Sequence, residues 1–206
     1  MNLDKVFELY KKYGCNGYIG ENITQLEHAS QCAMLAEEFC FNTNNTNDIE
    51  LKNNLVIAAF LHDIGHLIVY ENESLPTMGS YGVMDHETIG AEYLKENGFN
   101  NSICSLVKNH IKTKRYLITK NPDYYNKLSD ASKKTFEFQG GKLEDKELLE
   151  FEMDSLFLLH LKIREFDDKA KSEDIGLLTK IKEMDHLDYL KKFVTTTTTT
   201  TTTTTD

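Results

Sequence analysis

The longest apolar stretch of the chain, Leu55 to Tyr70, carries His62, Asp63 and His66 in its middle, within FLHDIGH (Phe60 to His66). Val56, Ile57, Ala58, Ala59, Phe60, Leu61, Ile64, Leu67 and Ile68 leave almost no polar face, so a helix here is buried on all sides. Three titratable groups in such surroundings are costly unless a metal ion or hydrogen bonds compensate them. They also exclude a membrane span. On a continuous helix His62 and Asp63 stand about 100° apart and can approach one ion from adjoining faces, while His66 lies one turn beyond His62. The fold must bring other donors to this segment.

Such donors recur along the chain: His28 on the preceding helix, His86 in MDHETIGAEYL, His110 in VKNHIKTK and Asp167 in IREFDDKAK. A lone histidine is more often a satisfied core residue than a ligand, and His160 and His186 are read that way. The adjacent His-Asp pair with this company is harder to dismiss. Imidazole and carboxylate together suit iron, manganese or zinc, and a carboxylate can bridge two such ions.

Only Pro76 and Pro122 interrupt the chain, and β-branched alternation is scarce, so an all-α fold is expected. Apolar spacing predicts helices near Leu3 to Tyr13, Thr24 to Cys40, Leu51 to Tyr70, His86 to Asn97, Ser102 to Thr113, Asp123 to Phe136, Glu144 to Ala170 and Leu177 to Phe193. The Asn-rich stretch 42–48 reads as a solvated insertion. Thr195 to Thr205 has no apolar face to bury and reads as a disordered tail, leaving one domain over 1–194.

The 206 residues suffice for one sizeable core. A net charge of −10 without a basic stripe argues against nucleic-acid binding, which depends on Lys and Arg at phosphates. Cys15, Cys32, Cys40 and Cys104 lack CxxC spacing and read as reduced thiols; with no secretory signal in view, a cytoplasmic location is expected.

The order His28, His62-Asp63, Asp167 resembles the HD superfamily, an all-helical metal-dependent group, and Asp167 is preferred over Asp168 by that resemblance alone. His86 and His110 match the subset with a second metal, which includes both phosphodiesterases and oxygenases. The flanking residues narrow the match. YIGENITQLEHASQCAMLAEE (Tyr18 to Glu38), HIKTKRYL, LSDASKKTFEFQGG and IREFDD resemble the HD-domain mixed-valent diiron oxygenases, in the branch acting on 2-amino-1-hydroxyethylphosphonate. The resemblance covers roughly residues 10–171, a core of about 18–171. Phe166 stands where tryptophan is expected, and the Asn-rich stretch lengthens the gap between His28 and His62.

The resemblance implies a single helical bundle around a dinuclear site. It implies one iron on His28, His62, Asp63 and Asp167, and a second on His86 and His110, with Asp63 bridging an Fe(II)/Fe(III) pair and O2 as co-substrate. Tyr18 would cap an iron from a mobile loop, and Glu21 would engage a substrate amino group. Lys114, Ser132, Thr135, Gln139 and Arg164 would surround the phosphonate of a small anionic amino-phosphonate, with His66 beside it; Lys114 and His66 would take catalytic roles. Cleavage of the carbon–phosphorus bond would give glycine and phosphate, or glycine betaine from an N-trimethyl substrate. An HD phosphohydrolase acting on a nucleotide or small ester is the rival, and a non-catalytic HD module the third possibility; the complete ligand set opposes the latter.

Overall fold

The computed structural model describes residues 1–42 and 48–194. The expectations for most of the Asn-rich stretch and for the threonine tail fall outside the described residues. The rest is helical: α1 (Leu3–Tyr13), α2 (Gln25–Asn42), α3 (Ile49–Leu61), α4 (Gly65–Ile68), α5 (His86–Glu96), α6 (Asn101–Lys120), α7 (Pro122–Lys127), α8 (Asp130–Phe138), α9 (Asp145–Glu152), α10 (Phe157–Lys169), α11 (Ile175–Glu183) and α12 (His186–Lys191). Among the described residues the only β pairing is two isolated bridges, Gly17 with Thr24 and Thr77 with Val83. No described helix is long and apolar enough to cross a membrane.

Helix α3 is the axis. Every residue from Asn54 to Leu61 is buried, and α2, α6 and α10 pack around it. This is what a helix without a polar face demands, because each side must meet apolar partners. Thr24 starts α2 with a capping box: its hydroxyl accepts the Glu27 amide at 3.2 Å, and Glu27 accepts the Thr24 amide at 2.7 Å. That fixes the rotation of the first turn and aims His28 at α3.

The helix expected over Leu51 to Tyr70 is two. Helix α3 ends at Leu61, and tighter bonds replace the helical ladder: the Ile64 amide donates to Leu61 O, and His66 to Asp63 O. Two carbonyls at the break find side-chain donors. His62 Nδ1 meets Ala59 O at 2.9 Å, and the Tyr10 hydroxyl donates to Phe60 O at 3.0 Å, as buried helix ends require. Gly65 makes the break useful, since a Cβ there would lie 2.0 Å from His86 O. Its absence lets the start of α5 close on this segment and carries His86 in.

Three other expected helices are also split. Asp123 to Phe136 divides at Ser129, Glu144 to Ala170 at 153–156, and Leu177 to Phe193 at Asp185. In each case a short polar side chain accepts a backbone N–H just ahead: Ser129 from Ser132, Asp154 from Leu156, Asp185 from Asp188. Such local bonds compete with the continuing helix. Helix α6 runs past the expected Thr113 to Lys120. Its far end seats α7 and α8 through Ile118, Leu128 and Phe136.

Candidate metal centre

Four histidines reach one point from four directions. His28 comes from α2, His62 from the break after α3, His86 from the first residue of α5 and His110 from the middle of α6. Each uses Nδ1 against a backbone carbonyl: Ala170 at 2.9 Å, Ala59 at 2.9 Å, Val83 at 3.3 Å and Val107 at 2.7 Å, respectively. In a neutral ring a donated Nδ1–H leaves Nε2 as the atom able to bind a metal, so four such atoms converge. They fall into two couples, with His28 and His62 Nε2 atoms 3.3 Å apart and those of His86 and His110 3.1 Å apart.

Asp63 lies between the couples. Its Oδ2 is 3.7 Å from His28 Nε2 and 3.4 Å from His62 Nε2; its Oδ1 is 3.4 Å from His86 and 3.3 Å from His110. From α10, Asp167 Oδ1 adds itself to the first couple only, 3.6 Å from His28 and 3.9 Å from His62. Facing lone pairs at such distances repel unless a cation lies among them. Two sets result: His28, His62, Asp63 and Asp167, and His86, His110 and Asp63. Nitrogen and carboxylate donors with one bridging carboxylate fit a pair of first-row metal ions.

The electrostatics agree. Burial and the neighbouring His62 push His28 down to about 4, so it is neutral. Burial also lowers His62, but the Asp63 and Asp167 carboxylates outweigh it and carry His62 up to about 9. The site thus draws positive charge to itself. Burial would raise Asp63, yet His62 and the other imidazoles hold it well below the usual carboxylate range.

A cavity of about 60 Å³ opens on this cluster, lined among others by Asp63, His86, His110, Asp167, Tyr18, His66, Lys114, Ser132, Thr135, Gln139 and Arg164. Of the residues expected around a substrate, only Glu21 is absent from the wall. The Tyr18 ring stacks on His28 at 3.8 Å, with its hydroxyl 3.4 Å from Asp167 Oδ1. His66 does not follow His62 on one helix, as expected, but stacks on His86 at 3.9 Å across the break. Its Nδ1 accepts the Val83 amide at 3.2 Å, which leaves Nε2 as the donor. Burial and His86 keep its pKa well below the ordinary histidine value.

Lys114 and Arg164 differ in kind. The Arg164 guanidinium donates to Asp167 at 2.6 Å, to Asp168, and to the Tyr124 hydroxyl at 2.8 Å, so it first fixes a candidate ligand. Lys114 is 2% exposed, and its ammonium donates to Thr135 Oγ1 at 3.0 Å. Among the described residues it has no ion-pair partner. Burial and Arg164 push it down to about 7. The side-chain oxygen of Gln139 is buried with no donor. Phe166 packs on Phe39 in the core, so this departure from the expected tryptophan lies away from the cavity wall.

Several neighbours escaped the reading of the sequence. Cys32 lies one turn beyond His28, its Sγ 3.7 Å from His28 Nε2. Burial and the Asp167 and Asp63 carboxylates raise its thiol well above the ordinary value, which keeps it protonated and a poor ligand. All four cysteines are free thiols. Tyr124 and Lys171 were also passed over, and Asp168 was weighed only as a ligand. Arg164, Asp167 and Asp168 share one face of α10, whereas Tyr124 comes from α7 and Lys171 follows the end of α10. His160 and His186 lie away from the cluster, stacked on Phe151 and Phe7.

Comparison with known proteins adds three relatives and one family. The HD domain model matches residues 26–189. An uncharacterized protein of Acanthamoeba polyphaga mimivirus is 46% identical over 186 residues, 90% of this chain and 78% of the relative. A hydroxymethylphosphonate dioxygenase of Gimesia maris is 36% identical over 168 residues, 81% of this chain and 76% of the relative. A glycine-betaine-forming [1-hydroxy-2-(trimethylamino)ethyl]phosphonate dioxygenase of Leisingera caerulea is 33% identical over 172 residues, 81% and 79% of the respective chains.

Proposed function

The chain belongs to the HD-domain family, and from that premise we propose that it is a two-iron, O2-dependent oxygenase of small 1-hydroxyalkylphosphonates. Within that class the reading is a substrate of the 2-amino-1-hydroxyethylphosphonate type, cleaved at its carbon–phosphorus bond to glycine and phosphate. An N-trimethyl analogue would give glycine betaine. His28, His62, Asp63 and Asp167 would hold one iron; His86, His110 and the other oxygen of Asp63 would hold the second. Bound there, the irons would supply the redox capacity for O2 activation that side chains lack.

The observation that carries the reading is Lys114. A buried ammonium with no carboxylate ion pair among the described residues, sharing a cavity with a His/Asp cluster, is a place prepared for an anion. Thr135, Ser132 and the orphaned Gln139 amide surround the same space with neutral hydrogen-bonding groups. Lys114 would bind the phosphonate, and His66 would offer its Nε2–H to a substrate oxygen. Arg164, buried and engaged with Asp167 and Asp168, would add charge to the cavity wall while holding Asp167 in place.

The test is phosphate release by anaerobically purified, iron-loaded protein given 2-amino-1-hydroxyethylphosphonate, with and without O2. Oxygen-dependent release of equal phosphate and glycine is expected, with a spin-coupled Fe(II)/Fe(III) resonance in the partly oxidised protein. Turnover of a phosphate ester without O2 would overturn the proposal.

A further inference from the structure

Lys171 lines the metal cavity, although no step above uses it. Its Nζ lies 3.1 Å from Glu21 Oε1 and 3.4 Å from Ser129 Oγ, and both members of the ion pair are mostly buried, 17% and 21% exposed at the side chain. Lys171 is on the cavity wall and Glu21 is not. A cation entering the cavity therefore meets the lysine before the carboxylate.

The two partners are held very differently. Lys171 belongs to a segment pinned to α2 on both sides: His28 Nδ1 meets Ala170 O at 2.9 Å, and the Gln31 amide bonds Ser172 at 2.9 and 3.1 Å. Glu21 sits on the connector between α1 and α2, and its amide donates to Tyr18 O at 3.2 Å. Tyr18 in turn covers His28 and reaches Asp167. The pair thus ties a connector to a fixed platform, with Tyr18 over the candidate ligands. The tie is imperfect. Glu21 Oε1 is buried and close to an ammonium, yet receives no aligned hydrogen bond, so an acceptor remains unspent.

We propose that Lys171 is a specificity-determining residue: its ammonium stands in for a substrate ammonium on Glu21, and an amino-phosphonate must displace it to bind. The proposal rests on the reading of Glu21 as the carboxylate for a substrate amino group. It adds that discrimination between phosphonates with and without an ammonium is set by the Lys171–Glu21 pair. A substrate cation brought in by its phosphonate on Lys114 competes with Lys171, on the cavity wall, for the Glu21 carboxylate behind it. A phosphonate lacking the cation leaves the pair intact.

The experiment is calorimetric binding of 2-amino-1-hydroxyethylphosphonate and of hydroxymethylphosphonate to iron-loaded protein under argon, where no turnover occurs. Lys171→Met is expected to improve the affinity for the amino compound relative to the other by roughly fivefold, the scale of a partly exposed ion pair. Lys171→Arg, which keeps a cation, is expected to stay near the wild-type ratio. In a Glu21→Gln background Lys171→Met is expected to leave the ratio where Glu21→Gln put it. Equal shifts for both ligands would make Lys171 a phosphonate contact and overturn the inference, as would no shift at all. Failure of the wild-type protein to bind either phosphonate would instead sink the function proposed above, so the two failures are distinct.

Discussion

Replacing Lys114 by methionine should stabilise the protein while removing the proposed anion site. Burial and Arg164 push this ammonium from 10.5 to about 7. At roughly 1.4 kcal/mol per pH unit, keeping it in the fold costs on the order of 5 kcal/mol near pH 6 and about 2 kcal/mol near pH 9. The direction follows from proton counting. Between about 7 and 10.5 the unfolded chain binds the proton that the folded chain releases, so folding grows more favourable as pH rises through that window. Below it the cost is fully present. Methionine fills similar space without charge and forfeits the bond to Thr135, worth about 1 kcal/mol net. Thr135 keeps Ala131 O as an acceptor at 3.1 Å. The net gain is then about 4 kcal/mol near pH 6 and about 1 kcal/mol near pH 9, or roughly 12 °C and 3 °C in Tm for a chain of this size. Thermal unfolding of metal-free wild type and variant, followed by circular dichroism, measures it. Histidine titration affects both proteins and largely cancels in the difference. Added phosphate should raise the Tm of the wild type and not of Lys114→Met. A variant less stable than wild type, a gain that grows with pH, or equal stabilisation by phosphate would each refute the reasoning.

Three further predictions follow from the same geometry. His110→Ala should leave one iron per chain and Asp63→Ala none, because each Asp63 oxygen faces a different histidine couple; metal analysis after dialysis reads this, and two irons retained in Asp63→Ala would exclude the bridging role. Gly65→Ala should force α4 from α5, costing about 2–3 kcal/mol in chemical denaturation and weakening the metal set that contains His86, since the added Cβ meets backbone. Tyr10→Phe should cost about 1–3 kcal/mol by orphaning the buried Phe60 carbonyl, with metal stoichiometry unchanged; an unaltered denaturation midpoint would show that another donor takes the carbonyl.

What could be read in the sequence divides by the kind of signal. Helical class and most helix starts came from apolar spacing, because burial of a face is a property of many residues at once. The breaks were invisible to that signal. Ser129, Asp154 and Asp185 each end a periodic run by one local bond, and no average over a window registers a single acceptor. The break after Leu61 is the consequential one. It was hidden because the apolar pattern continues unbroken across it, while the chain is turned by groups distant in sequence: the hydroxyl of Tyr10 and the backbone of His86 against Gly65. Two readings rested on that missing break. His62 and Asp63 do present adjacent faces to the cluster, but from a turn; His66 serves as the stacking partner of His86, and not as the next rung beyond His62.

The site shows the same division in chemical terms. Donor types were legible because histidine and carboxylate in an apolar run need a reason. Their sorting into two sets came only from the family resemblance, since physically it depends on which oxygen of Asp63 faces which couple. Lys114 and Arg164 were both expected as cations for one anion, yet the structure gives them unequal freedom. Arg164 is already committed to Asp167, Asp168 and Tyr124, whereas among the described residues the Lys114 ammonium bonds only a hydroxyl. Charge in a sequence says nothing of whether a counter-charge is already present. Under the proposed function it is this lysine, without an ion pair among the described residues, more than the count of basic residues, that would make the His/Asp cluster a place for a small anion. By the same argument Lys171, a paired lysine on the cavity wall, bears on which anion can enter.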